Sequence, residues 1–474
     1  MKKKVAILLV IILAIIAAIA LDIKNRNDIS NIVKNLDYGY EDFCSEEFLD
    51  TIDTKVYTVF DSFNKNRKLT SMLNDNSCYK HNDITPSIYI YTPENNGIYI
   101  SKETGYIDSE VVFVDKDGSQ FVDYEAKIKV RGNSTSVAPK KPYNIKFNEK
   151  QDLLGFGKAK KWNLLADCFD PTLLRNKTFL NLGLELGLEN TSNSQYIELY
   201  VDGMYVGCYL LTEAVEVGEN RVDIDVENGD FLIEYEHERV EEDVTYIVTN
   251  HGIRFAMSDP EEPDDEQLDR ITKILNDFDS CLFSNDFSKV EKMIDVDSFA
   301  KMYLLNEFAK TSDFGTSSVY FYYKDDKFYA GPIWDFDLSS GNYVEDDLPE
   351  KGYWSISDGK SVSYTDFFCR RRNPVYNKLL QYKEFYEKYK ELFEEKYDLL
   401  KNIYEDNGYI DQLLETYGWL FEKNYIDYVD GGAGWKVETK YTNIERKPYD
   451  TYQENLDYLR TWLENRLNWL KENS

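Results

Sequence analysis

The stretch "AKTSDFGTSSVYFYYKDDKFYAGPIWDFD", Ala309–Asp337, decides how this chain is read. "VYFYY" (Val319–Tyr323) and "FYAGPI" (Phe328–Ile333) are aromatic and strand-like, and "KDDK" between them suits a turn. The pattern predicts an antiparallel hairpin, and a hairpin brings its two outer ends together. Asp313 lies shortly before the first strand and Asp335 just after the second. Two carboxylates are therefore expected near one end of one hairpin. Upstream, Phe299, Met302, Tyr303 and Leu304 fall at helical spacing, with Leu305 and Phe308 beside them. They predict a helix over about 298–310 that leads into Asp313.

Working outward, the sequence between Pro86 and Phe147 has a period of two. "SIYIYT", "SEVVFVD", "YEAKIKVRG" and "KPYNIKF" read as strands separated by Asp-, Gly- and Asn-rich turns. In the last of these, Tyr143, Ile145 and Phe147 share one face, and Asn144 and Lys146 the other. "DPTLLRNKTFLNLGLEL" reads as a helix with Asp170 at the N-cap and Pro171 at the first helical position. "QYIELYVDGMYVGCYLLTE" is a hairpin turning at Asp202-Gly203, and "GDFLIEYE" and "TYIVTNHGIRFAM" continue the sheet. From about Pro374 onward the chain is helical and amphipathic, interrupted by the Gly-rich "YVDGGAGWKVETKY". Its aromatic stripes suit core packing, and Arg370-Arg371-Arg372 suits a solvated face.

The chain has 474 residues and a net charge of −31, from 55 basic and 86 acidic side chains. Such a field opposes nucleic-acid binding, which rests on phosphate neutralisation. It favours cationic, Lys/Arg-rich partners. Hydrophobic residues at 42% are enough for a globular core. The six cysteines form no C-x-x-C pair, and the histidines His81, His237 and His251 are scattered. A zinc site or a Ser-His-Asp triad has little to work with. At the N-terminus, Lys2, Lys3 and Lys4 precede an apolar run from Val5 to Leu21. This is the pattern of a cleaved signal peptide or an uncleaved membrane anchor. It places the remainder outside the cytoplasm, secreted or held at the cell surface, with the membrane touched only through this segment.

The order helix, Asp313, hairpin, Asp335 resembles the catalytic region of protein kinases. There a helix leads to a catalytic Asp, a metal-binding Asn follows five residues later, and a hairpin precedes the magnesium-binding Asp of D-F-G. By this order Asp313 takes the catalytic-base position and Asp335 the D-F-G position. The literal D-F-G at Asp313–Gly315 is a coincidence of letters. Ser318 stands where the kinase Asn is expected.

Several blocks, in order, resemble the spore coat protein H (CotH) kinase family. They are "KIKVRGNST" (127–135), "PKKPYNIKF" (139–147), "LLGFGKAKKWNLLADCFDPTLLRN" (153–176), "YIELYVDGMYVGCYLLTE" (196–213), "GENRVDI" (218–224) and "GPIWDFDLSSGN" (331–342). The resemblance implies an α+β, atypical protein-kinase-like fold with an antiparallel sheet, a helical lobe and a helical C-terminal extension. The implied organisation is an export segment (1–21), a helical stalk (22–83), a kinase-like core (84–345) and a helical remainder of the same domain (346–474).

The same resemblance implies transfer of the ATP γ-phosphate to Ser or Thr of a protein, with a basic, Ser-rich protein as the candidate acceptor and Mg²⁺ or Mn²⁺ as the cation. Asp313 looks like the catalytic Asp and Asp335 like the metal-binding one, with Asp337 and Ser318 as further metal ligands. The nucleotide-phosphate lysine is expected on the "KKPYNIK" strand, as Lys146 or as its competitor Lys141. Arg131, Arg175 and Glu213 complete the expected nucleotide site, each with a structural ion pair or strand-end role as the alternative. A catalytically silent surface scaffold or adhesin is the rival reading. A two-carboxylate glycosidase is a third.

Overall fold

The computed structural model describes residues 82–473 apart from 95, 238–239, 343–363, 428–429, 436–439, 442–443, 446–448 and 450. The apolar N-terminal run and the expected stalk lie outside the described residues. Among the described residues no helix is long and apolar enough to cross a membrane.

The first half of the described chain is a closed barrel. Its strands are β1 (Ser87–Tyr91), β2 (Ile107–Val114), β3 (Gln120–Val130), β4 (Tyr143–Asp152), β5 (Lys158–Leu165), β6 (Ser194–Val201) and β7 (Met204–Glu213). They run in the order β1-β2-β3-β4-β5-β7-β6, and β6 returns to pair with β1 in parallel. The expected alternation of "KPYNIKF" is observed. Tyr143, Ile145 and Phe147 are buried, and Lys146 is exposed on the outer surface. Inside, Ile128, Ile145, Trp162, Leu164, Ile197 and Leu211 form a dry core. Each such side chain contributes roughly 1.5–3 kcal/mol by leaving water. The β6–β7 hairpin turns at Asp202 and Gly203, with φ of 50° and 82°, the left-handed pair a type I′ turn requires.

Helix α1 (Arg175–Glu185) crosses out of the barrel between β5 and β6. It begins later than the sequence predicts, with Leu174 rather than Asp170 at the N-cap. Leu173 takes a left-handed φ of 60° and breaks the helical run. The Asp170 carboxylate still caps the helix from outside, accepting the backbone N–H groups of Thr172, Leu174 and Arg175 at 3.0, 3.0 and 2.8 Å.

The second half joins a sheet to helices. The sheet holds β8 (Phe231–Tyr235), β9 (Tyr246–Val248), β10 (Arg254–Asp259), β11 (Val319–Lys324) and β12 (Lys327–Ala330), in the order β12-β11-β8-β10-β9. β11 and β12 are the hairpin expected from "VYFYY" and "FYAGPI". Its turn residues Asp325 and Asp326 both have positive φ, 50° and 61°.

Helices α2 (Asp265–Leu282), α3 (Phe287–Met293) and α4 (Val296–Ala309) precede the hairpin. After it come α5 (Phe368–Arg372), α6 (Pro374–Leu379), α7 (Lys383–Lys401), α8 (Tyr409–Tyr425) and α9 (Tyr452–Asn473). Almost every residue of α4 from Phe299 to Ala309 is buried, because it lies between the sheet and the C-terminal helices. This central helix fixes where Asp313 stands. The content is thus mixed α and β, as the sequence implies.

Candidate active site

Helix α4 ends at Lys310, which closes it with a left-handed φ of 51°. A short turn, Ser312–Gly315, follows and presents Asp313. The Asp313 carbonyl accepts the N–H groups of Thr316 and Ser317, both at 2.8 Å, and Ser312 Oγ donates to Asp313 Oδ1 at 2.9 Å. After β12 the chain doubles back along the same turn. The N–H of Ser312 donates to Leu338 at 3.0 Å, and that of Ser340 to Ala309 at 2.7 Å. These two bonds hold the "WDFDLSS" segment against the end of α4, so hairpin geometry delivers both carboxylates to one place.

That place is a cavity of about 200 Å³ between the barrel and the hairpin. Asp313, Ser318, Asp335, Asp337 and Arg131 all line it, as do Asp167, Asn176, Glu234, Tyr320 and Trp334. Ser318 Oγ lies 3.5 Å from Asp335 Oδ2, and the Ser318 N–H donates to Glu234 Oε1 at 2.7 Å. Arg131 stacks 4.9 Å from the centroid of Trp334. Asp167, Ser318 and Asp335 all have left-handed backbones, with φ of 47°, 59° and 67°. Such conformations cost L-residues energy and persist where surrounding contacts over-determine them, typically at functional sites.

The cavity concentrates negative charge. Burial, and then the charges of Asp335, Asp167 and Asp313, push the Asp337 carboxyl well above the usual range. Burial lifts Asp167 to about 7, although the Asn176 amide donates to it at 2.7 Å and opposes the shift. Burial pulls the Arg131 guanidinium down, with Asp335, Tyr320 and Asp337 holding it charged. Crowded carboxylates of this kind are costly unless a cation joins them.

The donor set is hard oxygen, which suits Mg²⁺ or Mn²⁺ rather than a soft metal. Among the described residues no group of three or more His, Cys, Asp or Glu forms a ready metal cage. Magnesium needs only one or two carboxylates when phosphate oxygens and water complete its shell. Asp335 and Asp337 fit that requirement, with Ser318 beside them.

The remaining candidates stand elsewhere. Arg175 is fully buried and every part of its guanidinium is engaged. Nη1 pairs with Asp170 Oδ1 at 2.5 Å, Nε donates to the Ser339 carbonyl at 3.0 Å, and Nη2 to that of Ser340 at 3.3 Å. It ties down the loop that carries Asp335 and Asp337 and does not line the cavity. Lys146 projects from the outer face of the barrel, 5.9 Å from the Tyr106 ring centroid. Lys141 donates to the Ser136 carbonyl at 2.9 Å. Glu213 is buried against Arg221 at 2.5 Å and accepts the Asn193 N–H at 2.6 Å, beside a separate cavity of about 300 Å³.

Three lining groups escaped the sequence reading. Asp167 and Asn176 sit within a quoted block, but an Asp in "ADCFD" reads as a turn residue. Glu234 lies in "FLIEYE", where strand alternation marks only a polar position. Lys140, which does not line the cavity, also escaped that reading and is buried. It donates to the Cys208 carbonyl at 2.5 Å and stands 4.7 Å from the Tyr209 ring centroid. Its charge also acts on Asp167.

Barrel, helical half and the carboxylate cavity between them define a mixed α/β protein whose site suits a hard cation and a phosphate-bearing ligand. The sequence profile of the CotH kinase protein family matches residues 128–470, and the chain belongs to that family. No curated protein matches the chain.

Proposed function

We propose that the chain is an atypical protein kinase that acts outside the cytoplasm, transferring the γ-phosphate of ATP to a Ser or Thr hydroxyl of a secreted or surface protein. The observation that carries this reading is the convergence of Asp313 and Asp335 on one cavity from the two ends of the β11–β12 hairpin. Helix, Asp, hairpin and Asp follow in the order of kinase catalytic regions. The barrel takes the role of the nucleotide-facing lobe and the helical half that of the acceptor-facing lobe.

In this reading Asp313 orients the acceptor hydroxyl and receives its proton. The hydroxyl oxygen bonds to the γ-phosphorus as the bond to the β-phosphate oxygen breaks, and ADP leaves with that oxygen. Asp335 and Asp337, with Ser318 beside them, would hold a divalent cation, which would neutralise phosphate charge. Arg131 offers its guanidinium to the phosphates from the barrel side. Trp334 contributes an apolar wall to the cavity and stacks on Arg131, and an apolar wall strengthens nearby charge interactions. Most of the catalysis is positioning and charge stabilisation. The chain's net charge of −31 favours a basic acceptor.

The test is labelled γ-phosphate transfer by residues 22–474 with Mg²⁺ or Mn²⁺, beside Asp335→Ala. Metal-dependent transfer, lost in the variant, supports the kinase. Absence of both nucleotide binding and transfer favours the scaffold reading instead.

A further inference from the structure

One row on the outer face of the barrel is basic, although the chain as a whole is acidic. Strand register sets Lys127 opposite Lys146, and Lys146 opposite Lys161, so lysines stand side by side across β3, β4 and β5. Lys129 and then Arg131 follow Lys127 at alternate positions, on the same side of the strand line. Like charges directly opposite one another weaken a sheet. Lys129 shows the crowding. Burial, then Lys161, Lys102 and Arg131, hold its ammonium below the ordinary lysine range.

The acidic groups nearby compensate only in part. Asp108 lies 3.4 Å from Lys127, Glu216 lies 3.6 Å from Lys161, and Glu261 acts on Lys129 against its basic neighbours. Lys129 and Lys146 share the ring of Tyr106, at 4.8 and 5.9 Å. The Lys127 and Lys161 side chains remain 51% and 41% exposed, so a ligand can reach them. These contacts stabilise the row in part, but lysine set opposite lysine costs a sheet stability, and exposed ammonium groups remain along it at Lys127, Lys146 and Lys161.

We propose that this face docks an acidic, Asp/Glu-rich segment of the protein acceptor and leads the acceptor toward the Asp313–Asp335 cavity. Its purpose rests on the kinase reading, but its binding does not. From Lys127 to Arg131 is about 13 Å of strand, and from β3 to β5 about 10 Å. That footprint suits an extended peptide with carboxylates on alternate residues. The Arg131 end opens into the cavity, since Arg131 lines it. The Debye length at physiological salt is about 8 Å, so a patch of this size attracts locally while the net charge is screened. A basic acceptor that carries an acidic docking segment satisfies both fields.

The experiment uses residues 22–474 and a fluorescein-labelled peptide with Glu residues around one Ser, without nucleotide. Anisotropy is compared with a Gln-for-Glu peptide and with a Lys-for-Glu peptide. The Glu peptide is expected to bind best and to weaken with salt. Lys127→Glu with Lys146→Glu should weaken it about tenfold or more, as reversal of exposed pairs implies. Lys127→Gln alone repeats the test more mildly, with the urea midpoint checking that each variant is folded. Equal binding of the Glu and Gln peptides, or an unchanged Glu-peptide affinity in the charge-reversed variant, overturns the proposal. So does a variant that loses Mg-ATP binding but keeps the Glu peptide, because the row then serves the nucleotide. Failure of phosphoryl transfer with intact peptide binding would instead overturn the kinase reading alone.

Discussion

Arg175 separates two roles that its sequence context leaves open, a nucleotide ligand or an internal strut. The structure gives it Asp170 at 2.5 Å and the carbonyls of Ser339 and Ser340 at 3.0 and 3.3 Å, all fully buried. In Arg175→Met the Asp170 charge loses its counter-ion inside the protein, and breaking a buried pair costs about 3–5 kcal/mol. Asp170 keeps its backbone donors at Thr172, Leu174 and residue 175, so the lower half of that range is expected. At a urea slope of roughly 2 kcal/mol/M this moves the unfolding midpoint down by about 1.5–2 M. Because the strut also anchors the Asp335–Asp337 loop, Mg-ATP affinity should fall as well. The compensated variant Arg175→Met with Asp170→Asn removes both charges but keeps a side-chain oxygen for the backbone donors of residues 172, 174 and 175, and should recover part of the stability. The measurement is urea unfolding followed by tryptophan fluorescence, with nucleotide titration on the same samples. A midpoint unchanged in Arg175→Met, together with lost nucleotide affinity, would refute the strut and restore the ligand.

Other expectations are narrower. Asp313→Asn should lower transfer by about 10²–10⁴-fold with little change in nucleotide affinity, whereas Asp335→Asn should weaken metal-dependent nucleotide binding itself; single-turnover kinetics and titration separate the two. Gly315→Ala would place a Cβ 2.4 Å from Arg372 Cβ, so α5 must shift; a loss of about 1–3 kcal/mol is expected in urea unfolding. Lys177 donates to the Ser194 carbonyl at 2.7 Å, yet burial depresses its ammonium to about 8. The unfolded chain therefore binds the extra proton between about pH 8 and pH 10.5, and this residue's contribution to stability rises across that window. Lys177→Met should be more stable than the parent at pH 7, with the gap closing toward pH 10.5 in matched melts; a gap constant with pH would argue against it.

What the sequence made legible was periodic. Alternation in "KPYNIKF" marked which side of β4 is buried, and the two strand runs after Asp313 marked the hairpin. The carboxylate pairing followed from that hairpin with no further information. Closure of the barrel was not legible, because it depends on a parallel seam between distant strands and no local signal encodes it. Arg175 and Lys146 illustrate the same limit. A cation in a motif looks alike whether it faces a ligand, a buried carboxylate or water, and only packing distinguishes these. Asp167 fails in the other direction, since an Asp before a turn has a sufficient local explanation. Its place in the cavity comes from α1, where Asn176 reaches back to it while accepting the Phe336 N–H at 2.8 Å.

The seam between β1 and β6 pairs Ser87 with Glu198 and Ile90 with Val201, more than a hundred positions along the chain. A ribosome delivers β1 long before its partner. Until β6 arrives, β1 and the strands paired to it form an open sheet with an unsatisfied apolar face and a bare edge. The loop to be closed is long, but closure entropy grows only slowly with length, so the delay is one of synthesis rather than of search. During that interval the chain is most exposed to mispairing and to proteases. Once the seam is zipped, the barrel has no end strand left to unpeel, so its opening must begin by breaking a seam rather than by fraying an edge.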